Sequence, residues 1–165
     1  MSNIKRVLRK GAVFLLIAIL LIAFNSNNVS AASKTFDFTY KNVTITINSE
    51  ATKFLQKAGK AKSVKKTNSC AYKGYDRIYV YKDFTLKTYS KSKKGKEYVN
   101  SIVLTTKNIS TKEKVKLGST KKTMIKAYGN VKGRFGVYTY TKGKTKLIIE
   151  LNDSDKVASI QYMAK

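Results

Sequence analysis

The chain holds no histidine and a single cysteine, Cys70, which removes most of the common catalytic chemistry. Without imidazole there is no Ser-His-Asp or Cys-His nucleophile, no histidine metal site, and the commonest general base is missing. A lone cysteine closes no intramolecular disulfide. Flanked by Ala71 and Tyr72, Cys70 reads as a small buried hydrophobe, with a reactive thiol as the competing reading. Asn152-Asp153-Ser154-Asp155 offers oxygen ligands of the kind Ca²⁺ accepts. The run lacks the spacing and the closing glutamate of an EF-hand loop, so a hairpin turn is expected. The other acids are too scattered to nominate a carboxylate pair for glycoside chemistry. The expectation is a protein that is not an enzyme, with no catalytic residues, no cofactor and no metal.

Tyrosine is the other chemically informative residue, present eleven times. Tyr79 and Tyr81 alternate with Ile78 and Val80, and Tyr138 and Tyr140 alternate with Val137 and Thr139. The strand period of two places each tyrosine pair on one face. If helices cover the Ile78/Val80/Val137 side, Tyr79, Tyr81, Tyr138 and Tyr140 line an open face and form a partner-binding surface of rigid amphipathic rings. The alternative packs the same rings under the helices. Alternation alone does not choose between the two.

The elements that position these residues follow from local pattern. Residues 35–40 and 43–47 alternate apolar and polar around Lys41-Asn42, which predicts an N-terminal β-hairpin with a tight turn. Ala51, Phe54, Leu55 and Ala58 form one apolar stripe at helical spacing, with Ser49 as N-cap, Glu50 in the first turn and Gly59 as the stop. So short a helix needs a sheet to pack on. Residues 59–76 read as a lysine-rich connection, followed by strands at 77–81, 84–89 and 98–105, with a basic loop at 90–96. A polar link at 108–114 leads to a second helix at 120–128, with Ser119 as N-cap, Met124, Ile125 and Tyr128 on one face and Gly129 as the stop. Strands at 137–140, 146–151 and 157–163 close the chain.

The second half therefore repeats the first. Ile47-Asn48-Ser49 through Ala58-Gly59 aligns with Leu117-Gly118-Ser119 through Tyr128-Gly129. Ile78-Tyr79-Val80-Tyr81 aligns with Val137-Tyr138-Thr139-Tyr140, and Val99-Asn100-Ser101-Ile102 with Val157-Ala158-Ser159-Ile160. Ordered agreement of this kind points to an internal repeat. The first half is the longer, through the loop that carries Cys70. The expected fold is α+β, with two tandem units of a short helix packed on an antiparallel β-meander, the first completed by the N-terminal hairpin. The expected boundaries are 1–31 for a signal peptide, 32–107 for the first unit and 108–165 for the second.

At the N-terminus, Lys5, Arg6, Arg9 and Lys10 precede an uncharged apolar run at 11–24, and Val29-Ser30-Ala31 supplies small residues for signal peptidase. The apolar run is short against the ~20 residues that cross a bilayer, so a cleaved export signal is expected rather than a retained anchor. No cysteine follows it to carry a lipid. The expected location is extracellular, with membrane contact only through the signal before cleavage. Lys and Arg number 34 against nine Asp and Glu, for a net charge of +25. Nearly all the basic residues are lysine, a hydrated point charge rather than a bidentate fork. Export and the lack of any recognition-helix or RNP pattern argue against nucleic acid as partner.

The segment 115–129, Val-Lys-Leu-Gly-Ser-Thr-Lys-Lys-Thr-Met-Ile-Lys-Ala-Tyr-Gly, resembles the start of a repeat in the β-lactamase-inhibitory-protein-like fold, used once by outer-membrane assembly lipoproteins of the SmpA/OmlA type. Ser69-Cys70-Ala71-Tyr72 and the run from Tyr79 to Tyr89 are similar to phrases of uncharacterised exported proteins of Gram-positive bacteria. The resemblance implies a non-enzymatic module that presents a curved sheet to a partner. It does not carry β-lactamase inhibition, because this chain lacks the disulfides, tryptophans and acidic character of that inhibitor. The expected function is a secreted binding or inhibitor-like protein with a protein partner. The alternative is a cell-wall-associated structural protein bound electrostatically to anionic polymers.

Overall fold

A computed structural model describes residues 34–165; the expected signal segment lies outside the described residues. The architecture is α+β and dominated by strands. A hairpin of β1 (Asp37–Tyr40) and β2 (Val43–Thr46) forms its own small sheet. Lys41 and Asn42 both take positive φ, 47° and 62°, the geometry that matches a two-residue turn to strand twist. Helix α1 (Thr52–Ala58) follows, then β3 (Ser63–Asn68), β4 (Tyr75–Val80), β5 (Phe84–Ser90) and β6 (Glu97–Leu104). Helix α2 (Lys121–Tyr128) precedes β7 (Val137–Lys142), β8 (Thr145–Leu151) and β9 (Val157–Ala164). These seven later strands make one sheet in the order β3-β4-β5-β6-β9-β8-β7, antiparallel throughout.

Strand β3 lies where the sequence reading has only a connection. Every one of its residues is exposed, so a core-facing apolar alternation never arises. It is an edge strand, and Lys65 and Lys66 give it the charge that discourages further pairing.

One row of facing residues crosses the main sheet: Val64, Tyr79, Leu86, Ile102, Tyr162, Leu147 and Tyr140. Facing residues share a side, so this row defines the core face. Phe38 of β1 sits against it, with ring centroids 5.0 Å from Phe84, 5.9 Å from Tyr162 and 6.0 Å from Phe54 of α1. The hairpin, α1 through Phe54 and Ala58, and α2 through Met124 all join one core cluster.

The two halves meet at β6 and β9 with matching connections. Asn48 and Gly118, both at positive φ, donate their N–H groups to the carbonyls of Val99 and Val157. Val99 and Val157 in turn donate to Ser49 and Ser119, and Ala51 and Lys121 donate to Glu97 and Asp155. Each half also carries a bulge at the corresponding place, where Asn100 in β6 and Ala158 in β9 are the extra residues.

The helix starts differ from the expected serine caps. Ser49 Oγ instead donates to the carbonyl of Thr46, and Ala51 begins α1 with no side-chain cap. In α2 the cap is Thr120, whose hydroxyl accepts from the Thr123 N–H at 3.2 Å, while Ser119 accepts from Lys116. The stops at Gly59 and Gly129 are as expected, each donating to a carbonyl of the last turn.

Candidate functional site

The four tyrosines nominated as an open surface lie on the core side, which corrects their expected placement. Tyr81, Tyr138 and Tyr140 are buried, and Tyr79 is half-buried against the core cluster. Tyr81 stacks on Phe84 at 4.6 Å, and the Tyr140 hydroxyl donates to the carbonyl of Gly129 at 3.1 Å. The Tyr79 hydroxyl donates to Glu97, whose carboxylate also accepts from Thr88 at 2.7 Å and pairs with Arg77 at 2.9 Å. Burial and the Glu97 carboxylate together push the Tyr79 hydroxyl pKa well above its usual range. The rings follow the hairpin and helices because aromatic side chains bring the larger apolar area to the core.

Their alternates therefore face outward. Val80, Val103 and Ile148 lie in one cross-strand row with Thr85, Gln161 and Thr139. Ile78 and Met163 lie in the next row, with Lys87, Ser101 and Lys146. None of these five aliphatic side chains belongs to the core cluster or packs against it, and all are half-buried. Lys65, Lys87 and Lys146 stand among and beside them. The sequence signal was present in the β8 run Leu147-Ile148-Ile149, apolar on both faces, and in the Ile78/Val80 alternates of the tyrosines.

Cys70 is exposed rather than buried, in the surface loop between β3 and β4. Asn152 uses its side-chain oxygen to accept the N–H groups of Ser154 and Lys156, at 3.1 and 3.0 Å, which closes the β8–β9 turn. No cluster of potential metal ligands occurs among the described residues.

Neither a protein-family model nor a curated protein matches the chain. Among solved structures it is similar to a cysteine-rich secretory protein from Staphylococcus aureus, with a TM-score of 0.49 and 12% identity. The match covers 72% of this chain, which spans 44% of that protein's length. At this level the likeness carries no functional argument.

Proposed function

We propose that this is a secreted, non-enzymatic binding protein that offers the open face of its main sheet to a protein partner. The supporting observation is the half-buried group Ile78, Val80, Val103, Ile148 and Met163, outside the core cluster and spread over adjacent strands with lysines at its margin. Contiguous apolar surface of this kind on a soluble domain marks an interaction site. Lys65, Lys87 and Lys146 fit a partner whose own apolar patch is bordered by carboxylates. The fold reading that accompanies this is a tandem repeat of the β-lactamase-inhibitory-protein-like type, residues 32–107 and 108–165. The matched hydrogen bonds and bulges of the two halves support it.

A second reading is a cell-wall-associated protein held by lysine attraction to anionic polymer. It is favoured by the small number of ion pairs between described residues, three, against the 30 basic groups there, the chain's 34 less Lys5, Arg6, Arg9 and Lys10. Capture from the native secretome at low and high salt separates the two. The sheet-face reading expects one protein retained at high salt and lost with Val103→Lys or Ile148→Lys. The electrostatic reading expects wall polymer released as salt rises, because such attraction is screened within ~10 Å at 0.1 M. Capture of a protein unchanged by both substitutions would sink the sheet-face reading.

A further inference from the structure

The two loops that distinguish the first half from the second pack against each other. Lys73 forms an isolated parallel bridge with Ser92. Gly74 lies against the carbonyl of Ser90, so close that any Cβ there would collide with it. The Ser90 hydroxyl donates onward to the carbonyl of Ser92 at 2.7 Å. This contact lays Tyr72 over Tyr89, centroids 5.2 Å apart and planes within 18°, and Tyr98 continues the group 5.7 Å from Tyr89. Beside the rings is a hollow of about 260 Å³ whose polar lining includes Asn48, Ser69, Asp76 and Asn100. Asn100 is exposed and Asp76 half-buried, neither making a side-chain hydrogen bond among the described residues; Asn48 Oδ1 accepts from the Tyr89 hydroxyl at 3.4 Å, and Tyr72 is 43% exposed.

The second half of the chain serves as an internal control. Asn48, Tyr98 and Asn100 correspond to Gly118, Lys156 and Ala158. The first pair makes the same backbone hydrogen bond, the second the same isolated bridge, and the third supplies the extra residue of each bulge. The same backbone bonds, bridge and bulge form with glycine, lysine and alanine at these places. That backbone geometry therefore does not depend on the amides and the ring.

We propose that this hollow binds an uncharged oligosaccharide. A sugar ring presents apolar C–H faces that lie against an aromatic ring, and hydroxyls that both donate and accept. Amide side chains answer both needs and a carboxylate accepts. Asp76 in the lining repels phosphate- or carboxylate-bearing ligands, which the lysines elsewhere on the surface would otherwise attract. The inference rests on the correspondence between the halves and is independent of what binds the aliphatic sheet face.

Calorimetric titration of the full-length chain with chitotetraose, cellotetraose and maltotetraose, in about 0.5 M salt to suppress lysine attraction, tests it. Saturable binding of at least one sugar is expected. Asn48→Gly with Asn100→Ala, which installs the second half's residues, should weaken that binding by about tenfold or more with an unchanged melting temperature. Tyr72→Ala should weaken it comparably, while Val103→Lys on the sheet face should leave it intact. An environment-sensitive dye on exposed Cys70 should shift its emission as sugar binds. Absence of saturable binding to all three sugars would overturn the proposal, and so would binding that the Asn48/Asn100 and Tyr72 variants leave unchanged.

Discussion

The tyrosine hydroxyls at the core are not equivalent. The Tyr128 hydroxyl donates to Thr111 at 2.6 Å and lies 2.9 Å from the Glu113 carboxylate, whereas the buried Tyr162 hydroxyl has no partner among the described residues. Tyr128→Phe should cost about 1 kcal/mol in urea denaturation, while Tyr162→Phe should leave stability unchanged or raise it, because it removes an unsatisfied buried group. Desolvation raises the pKa of both hydroxyls, and that of Tyr79, above the ordinary value of 10.0. The native state thus holds these protons more tightly than the unfolded chain. Their contribution is complete below pH 10 and drains away as pH rises above it toward the folded values. Melting temperature should therefore fall steeply above pH 10, with tyrosinate absorbance appearing together with unfolding; a flat profile to higher pH would contradict these burial assignments. Cys70 shows where single-residue reading stops. Its neighbours suggest burial, but the loop carrying it lies on the surface, so thiol reagents should label it in the folded protein.

At the scale of elements, the helix stops, the β1–β2 turn and the core-bearing strands were legible because their signals are local: positive-φ residues, apolar stripes and alternation. Gly59 and Gly129 adopt φ of 85° and 88° with extended ψ, a region essentially confined to glycine. Nothing lies within 4 Å of where a Gly129 Cβ would stand. Gly129→Ala should thus be destabilised by backbone strain alone, by about 1–3 kcal/mol in thermal or chemical denaturation. A neutral result would mean that the α2 stop relaxes without that geometry. Strand β3 was not legible, since an edge strand exposed on every residue needs no apolar alternation. Its pairing with β4 is a tertiary fact. The cap positions shifted from Ser49 and Ser119 for a related reason. Both serines sit in backbone that pairs with β6 or β9, which moves the helix starts along the chain.

For the whole molecule, Phe38 is the side chain through which hairpin, helix α1 and sheet are joined, 1% exposed and in contact with Phe54, Phe84 and Tyr162. Phe38→Ala should cost about 3–5 kcal/mol, read from the urea midpoint, and should expose the hairpin to proteolysis. Loss of under 1 kcal/mol would mean that the hairpin is not integral to the core. The open face belongs to the same scale. Sequence by itself determined that Tyr79 and Ile78, or Tyr138 and Val137, point to opposite sides, because alternation is a property of one strand's backbone. It also determined that the second half echoes the first, and that histidine chemistry is absent. Only the tertiary structure decided which side is buried. With apolar residues on both faces of β4 and β8, the choice falls to where the hairpin and helices land. They land on the aromatic side, leaving Ile78, Val80, Val103, Ile148 and Met163 half-buried on the other. The meeting of the Cys70 loop with the 90–96 loop was decided there too, since residues distant in sequence become neighbours only when β4, β5 and β6 pair.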